Sequence, residues 1–139
     1  MHKVLLDTDI LSEVLRGVNP TVAGHAGAYR SVFGHFTISV ITVMEMAKGF
    51  QKAGRPEKIA ALATLLATEE IVDFDRAAAD QAGRIWGDLE RTGQPIGLAD
   101  PMIAAVALRH GLELVTGNTA HYQRVQQLGY PLTLANWRN

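Results

Sequence analysis

Three acidic residues lie where short apolar runs end or where a helical pattern begins. Asp7 directly follows the apolar residues 4–6, and Glu45 follows a second apolar run by a few positions. Asp100 stands at the start of the most apolar helical pattern in the chain. If the apolar runs are parallel strands, their carboxyl ends share one edge of a sheet, and the three side chains become neighbours there. Close carboxylates repel one another unless a cation is bound. The pattern therefore predicts a metal site with Asp7, Glu45 and Asp100 as ligands.

The types of these ligands indicate a metal and a reaction. Carboxylate oxygens suit hard divalent cations, so we expect Mg²⁺ or Mn²⁺. Such an ion lowers the pKa of a bound water and stabilises the attacking and leaving oxygens of a phosphodiester. The chain has 13 Lys and Arg residues against 14 Asp and Glu residues, a formal charge of −1. Because no overall positive charge attracts nucleic acid, a bound cation would supply that attraction locally. Phosphodiester hydrolysis is the predicted reaction.

Each acid also has a purely structural interpretation. Asp100, with a proline after it, fits a helix N-cap followed by proline at the first helical position. The spacing of Thr42 and Glu45 fits a capping box, in which the glutamate reaches back to the threonine amide. We expect Asp9 to cap the first helix. Asp7 is the acid for which folding alone offers no comparable reason.

Other kinds of site are disfavoured by the residue types. Cysteine is absent, and the five histidines lack the spacing of a zinc site. Asp7 and Asp9 form an Asp-x-Asp pair like that of haloacid-dehalogenase-like phosphatases, but Ile10 and Leu11 follow where those enzymes have Gly-Thr or a close variant. We expect His121 to lie on the surface. A metal-dependent nuclease remains the favoured interpretation.

The elements that must position these residues alternate along the chain. Short apolar runs separated by helices of about ten residues or more indicate right-handed crossovers and a parallel sheet. The prediction is an α/β fold with a mainly parallel sheet of four or five strands, in one domain of residues 1–139. Predicted strands cover 3–6, 36–39, 70–74, 113–116 and 132–134; predicted helices cover 10–16, 20–34, 42–50, 57–67, 76–91, 101–110 and 120–128.

The apolar runs are too short for membrane insertion. Only three consecutive apolar residues, 4–6, precede Asp7, too few for the core of a signal peptide. Nothing approaches the ~20 apolar residues that span a bilayer. A soluble, cytoplasmic protein is expected.

Four stretches resemble one known family. Residues 4–13 (VLLDTDILSE), 39–45 (SVITVME), 96–105 (IGLADPMIAA) and 114–122 (LVTGNTAHY) are similar to motifs of VapC-type toxins of the PIN-domain ribonuclease family. Trp137 matches a common closing aromatic residue. Singly these motifs are weak, but four in this order and spacing cover essentially the whole chain.

The resemblance implies a fold, an activity and partners. The fold would be a three-layer α/β/α PIN fold, and the activity that of an endoribonuclease dependent on Mg²⁺ or Mn²⁺. Asp7, Glu45 and Asp100 match the first three acids of the family. The implied partners are an RNA substrate, a small cognate antitoxin and a second copy of the chain in a homodimer.

Three further residues match substrate-contacting positions of the family. Thr8 and Thr116 match hydroxyl residues beside the first acid and after the fourth strand. Asn118 stands where the family often has a fourth acid. A carboxamide still binds water or a phosphate oxygen but adds no negative charge, which weakens a second metal position. A PIN-like module that binds RNA or protein without cleavage is the alternative that this departure leaves open.

Overall fold

Five short strands form one parallel sheet in the order β3-β2-β1-β4-β5. The computed structural model describes all residues, 1–139. Every neighbouring pair of strands is parallel, so all carboxyl ends lie on one edge, as predicted. β1 is central, between β2 and β4. The strands are β1 (Val4–Leu6), β2 (Thr37–Ser39), β3 (Glu70–Val72), β4 (Glu113–Val115) and β5 (Leu134–Ala135).

Seven helices cover the two faces of this sheet. Successive side chains of a strand point to opposite faces, so Leu5 joins one apolar cluster and Leu6 the other. The first cluster packs under α5, α6 and α7, and the second under α1, α2 and α4, which confirms the predicted three layers. The helices are α1 (Thr8–Arg16), α2 (Pro20–Phe33), α3 (Val40–Lys52), α4 (Glu57–Leu66), α5 (Arg76–Arg91), α6 (Ala99–His110) and α7 (Thr119–Gln127).

The caps of α1 and α3 differ from the prediction. Asp7, and not Asp9, is the N-cap of α1, and its side chain accepts a hydrogen bond from the Thr8 amide. α3 begins two residues earlier than predicted, at Val40, and Ser39 caps it through the Ile41 amide. The alternative interpretation of Glu45 as part of a capping box is therefore wrong, because this residue lies in the second turn of α3.

The alternative interpretation of Asp100 as the N-cap of α6 is also wrong. The helix begins at Ala99, with Leu98 at the N-cap position and no side-chain cap. Asp100 lies inside the first turn, and its carboxylate is bonded to α7. The side chain is therefore directed to a neighbouring helix and not to the amides of its own.

The residues after β5 pack back onto the α2 layer. Trp137 is buried, with its ring 5.8 Å from that of Tyr29 and 6.4 Å from that of Phe36. This contact holds the closing segment beside α1 and the end of β4. Separately, none of the seven helices combines the length and hydropathy needed to cross a membrane.

Candidate active site

Asp7 lies at the carboxyl edge of the sheet and is almost fully buried. Its Oδ1 accepts a 2.8 Å hydrogen bond from the Thr8 amide, and its Oδ2 accepts one of 2.8 Å from the Thr116 hydroxyl. Thr116 follows β4, the strand beside β1. The ends of two adjacent strands thus fix both oxygens of this carboxylate, and the sheet places Thr116 beside Asp7.

Burial makes the charged form of Asp7 costly. Desolvation, followed by repulsion from Asp9, raises the pKa of Asp7 from 3.8 to about 7, and the charge of Asp100 adds to the rise. The hydrogen bonds from Thr116 and Thr8 oppose it but do not cancel it. A carboxylate in this condition gains stability from a nearby cation, because the cation favours the ionised form.

Asp100 lies close enough to Asp7 for its charge to raise the Asp7 pKa, and two residues of α7 hold it. Its Oδ1 accepts a hydrogen bond from the Tyr122 hydroxyl at 3.2 Å, and its Oδ2 lies 3.1 Å from Nδ1 of His121. His121 lies at the surface as expected, with a half-exposed side chain, and it also contacts a site acid. Tyr122 is fully buried, and its pKa is raised well above 10 by burial and by the charges of Asp7 and Asp100. Its hydroxyl stays protonated and serves as a donor.

Sequence reasoning assigned no role to Tyr122. Its position could have indicated a role, because Tyr122 lies on α7 four residues, or about one helical turn, after Asn118. A buried tyrosine normally needs a partner for its hydroxyl. At this place in a parallel sheet, the partner is one of the predicted acids.

Glu45 reaches the site through a threonine. Its Oε1 accepts a 2.6 Å hydrogen bond from the Thr8 hydroxyl, whose oxygen lies 2.9 Å from that of Thr42. Glu45 also lines a cavity of about 450 Å³ together with Asp100. Glu45 is thus linked to Asp7 by the residue next to Asp7, and to Asp100 by a shared open space.

The three predicted ligands have donor atoms that suit a hard divalent cation. Their donors are all carboxylate oxygens, and the pKa of Asp7 is raised by burial and neighbouring acids, both of which suit Mg²⁺ or Mn²⁺. No three His, Asp or Glu side chains are grouped closely enough to hold one ion jointly. Mg²⁺ commonly retains waters and uses one or two carboxylates. A divalent cation therefore fits the chemistry of these residues. The assignment of Asp7, Glu45 and Asp100 as its ligands stays a prediction.

Asn118 lies at the N-terminal end of α7. The backbone amide of Asn118 donates a 3.0 Å hydrogen bond to the hydroxyl oxygen of Thr116, and that hydroxyl donates to Asp7. Its side chain makes no capping bond. The predicted substrate residues Thr8, Thr116 and Asn118 therefore belong to the same sheet edge as Asp7.

Two further acids of α1, Asp9 and Glu13, lie beside the site. Oδ2 of Asp9 accepts a 3.0 Å hydrogen bond from the Gly117 amide, and Arg138 pairs with both Asp9 and Glu13. Burial raises the pKa of Asp9, whereas the Gly117 amide and Arg138 oppose that rise. Arg138 was missed, because nothing near it in sequence is acidic.

Comparisons with known proteins agree with this architecture. The family model described as "PIN domain" matches residues 4–127. The tRNA(fMet)-specific endonuclease VapC of Shigella flexneri is 34% identical over 126 residues, which are 90% of this chain and 93% of that protein. Ribonuclease VapC2 of Haemophilus influenzae is 32% identical over 138 residues, 99% of each chain.

A solved structure extends the likeness to three dimensions. DNA-bound VapBC from Salmonella typhimurium contains a chain that superposes with a TM-score of 0.79 at 30% identity, covering 99% of both chains. The matched region includes the sheet edge on which Asp7 and Asp100 lie. The chain therefore belongs to the PIN-domain family, and within that family to the VapC proteins.

Proposed function

We propose that this chain is the toxin component of a type II toxin–antitoxin system and hydrolyses RNA phosphodiester bonds with Mg²⁺ or Mn²⁺. The observation that carries the proposal is the buried carboxylate of Asp7. Both of its oxygens accept hydrogen bonds from fixed donors at the carboxyl edge of the sheet, and the nearby charge of Asp100 adds to the rise in its pKa. The VapC relatives, which are named as ribonucleases, support the reaction class.

Asp7 and Asp100 would hold the cation, with Glu45 completing its surroundings. When bound, the ion would activate a water and stabilise the charge that develops on the phosphate oxygens. The Thr116 hydroxyl and the Thr8 amide keep the Asp7 carboxylate in one orientation. Tyr122 and His121 do the same for Asp100.

Glu45 has one oxygen available for the water. Its Oε1 is occupied by the Thr8 hydroxyl, whereas its Oε2 makes no hydrogen bond within the chain. Glu45 Oε2 is therefore assigned to orient the attacking water and accept its proton. Asn118 is assigned to a water or a phosphate oxygen. The expected products carry a 5′-phosphate and a 3′-hydroxyl.

The first substrate to test is the initiator transfer RNA. Two relatives, from Shigella flexneri and Salmonella typhimurium, bear the name tRNA(fMet)-specific endonuclease. We propose the same RNA for this chain. Cleavage of other RNAs at equal rates would support the nuclease activity but contradict the specificity for this transfer RNA.

The proposed partners are a small antitoxin and a second copy of the chain. The similar Salmonella structure is a VapBC complex, which supports an antitoxin partner. Light scattering coupled to size-exclusion chromatography tests the homodimer. A monomeric mass at all working concentrations would contradict it. The cytoplasmic location stays a prediction.

The central experiment measures cleavage of labelled tRNA(fMet) by the purified chain. Cleavage is expected with Mg²⁺ or Mn²⁺ and should stop with a chelator. Asp7→Asn should abolish it, whereas Asp80→Asn, the same change at an exposed ion pair of α5, should not. Cleavage that persists in chelator or in Asp7→Asn contradicts the proposal. RNA binding without cleavage under either ion would favour the non-cleaving module.

A further inference from the structure

The turn of residues 116–118 carries two site residues and is held from both sides. On the inner side, the Thr116 hydroxyl donates to Asp7 and accepts from the Asn118 amide. On the outer side, the Gly117 amide donates to Asp9 Oδ2 at 3.0 Å. The direction of the Thr116 hydroxyl, and therefore that of the Asp7 carboxylate, depends on this turn staying in place.

Arg138 closes the outer side of the turn. Its Nε donates to Glu13 Oε1 at 2.8 Å, and its Nη2 lies 3.4 Å from Asp9 Oδ2. Its guanidinium also covers Gly117 so closely that a Cβ at that position would overlap it. The same Cβ would lie 2.7 Å from Asp9 Oδ2. One cation therefore bridges two acids of α1 and covers the backbone of the turn.

The position of Arg138 is itself well determined. Trp137, the residue before it, is buried against the aromatic residues of the α2 layer. The backbone amide of Arg138 donates a 2.9 Å hydrogen bond to Oδ1 of Asn136. The backbone entering Arg138 is thus anchored at 136 and 137, although the side chain itself is 37% exposed.

Arg138 neutralises two acids that are largely shielded from solvent, so it does more than form a surface ion pair. Asp9 is largely shielded from solvent, and Glu13 Oε2 is buried with no hydrogen-bond partner. Without Arg138, two adjacent carboxylates of α1 would face each other with no cation between them. Repulsion would then move Asp9, which is the acceptor of the Gly117 amide.

We propose that Arg138 is a positioning residue for the nuclease reaction. It acts through Asp9 and Gly117 on the turn that presents Thr116 to Asp7 and carries Asn118. This inference rests on the proposed function and deepens it, because it makes the closing segment after β5 part of the catalytic apparatus. Arg138 contacts none of the predicted ligands Asp7, Glu45 and Asp100.

The test compares Arg138→Gln and Arg138→Lys with Arg84→Gln, which breaks an exposed ion pair on α5. Cleavage of tRNA(fMet) is measured at saturating Mg²⁺ and well below the unfolding temperature of each variant. Arg138→Gln should lower kcat roughly 10- to 100-fold, the cost of displacing a site by a fraction of 1 Å to about 1 Å, with KM unchanged. Arg138→Lys should recover part of the loss, because it restores the charge without the forked geometry. Arg84→Gln should behave as wild type.

A second readout is independent of activity. Amide hydrogen exchange at Gly117 and Asn118 should become faster in Arg138→Gln, while exchange within β4 is unchanged. If Arg138→Gln fails to fold, Gly117→Ala disturbs the same contact from the other side and should produce the same loss of kcat and the same faster exchange at Asn118.

The outcomes separate this inference from the proposed function. Wild-type kcat in Arg138→Gln overturns the positioning role. An increase in KM with unchanged kcat also overturns it, because that result would mean direct contact between Arg138 and RNA. If the wild type cleaves no RNA, the proposed function fails, and the exchange measurement alone decides whether Arg138 holds the turn.

Discussion

The hydroxyl of Thr116 donates a 2.8 Å hydrogen bond to Oδ2 of Asp7, although 109 residues separate them along the chain. The bond joins the ends of the adjacent strands β4 and β1. It is one of the two interactions that oppose the effect of burial on the Asp7 pKa. Thr116 therefore influences both the orientation and the charge of the Asp7 carboxylate.

Replacement of this hydroxyl should impair the site while leaving the fold intact. Thr116→Val keeps the shape but removes the donor, so we expect a roughly 10- to 100-fold loss of metal affinity or cleavage, as for other residues that orient a metal ligand. Thr116→Ser should retain most activity. Thr37→Val is a matched control, because Thr37 is a buried strand threonine that donates to Glu70 at the opposite edge of the sheet. Equal activity in the two valine variants would contradict the role of Thr116.

Asp7→Asn should increase stability while it removes activity. In metal-free buffer at pH 8, the wild type must bury an ionised carboxylate beside Asp9 and Asp100, and asparagine removes that charge. Its amide group would still accept one of the existing hydrogen bonds. Chemical denaturation should give a higher midpoint for the variant at pH 8 without metal. A lower midpoint would show that the Asp7 charge stabilises the fold.

The stability of the metal-free wild type should depend on pH in a defined direction. The folded-state pKa of Asp7, about 7, lies above the ordinary value of 3.8. Between these values the folded chain binds more protons than the unfolded chain, so the free energy of unfolding falls as pH rises from about 4 to about 7. At roughly 1.4 kcal/mol for each pKa unit, this contribution is of the order of a few kcal/mol.

Asp7→Asn and added Mg²⁺ supply the controls for this pH dependence. The variant should lose the contribution of Asp7, and Mg²⁺ should restore stability near pH 8 by binding the ionised form. Unfolding curves recorded with urea at several pH values measure both effects. An identical slope in wild type and Asp7→Asn would mean that another group is responsible.

Tyr122→Phe should lower cleavage without a large loss of stability. The ring keeps its packing, but Asp100 Oδ1 loses the 3.2 Å hydrogen bond from the phenol. We expect a decrease of roughly tenfold in kcat or metal affinity. Tyr130→Phe is the matched control, because the Tyr130 hydroxyl bonds Asp88 away from the site. If both variants cleave RNA at the wild-type rate, Tyr122 serves packing alone.

The helix caps show where reasoning from local sequence failed. Asp100 followed by proline, and Thr42 spaced from Glu45, both fit local capping patterns, yet these acids bond to other elements. Local spacing reveals which bonds a side chain is able to make with its own helix. It does not reveal the competing partners that packing brings near, such as Tyr122 for Asp100 and Thr8 for Glu45.

The sequence by itself determined the alternation of strands and helices, the parallel sheet and the position of Asp7 at a strand end. These follow from hydrophobic runs and connection lengths, which are local properties of the chain. The tertiary structure alone decided that Tyr122 bonds Asp100 and that Arg138 pairs with Glu13 across 125 residues of sequence. Such contacts depend on how helices and the closing segment pack on the sheet, because packing sets the distance between side chains that no local pattern connects.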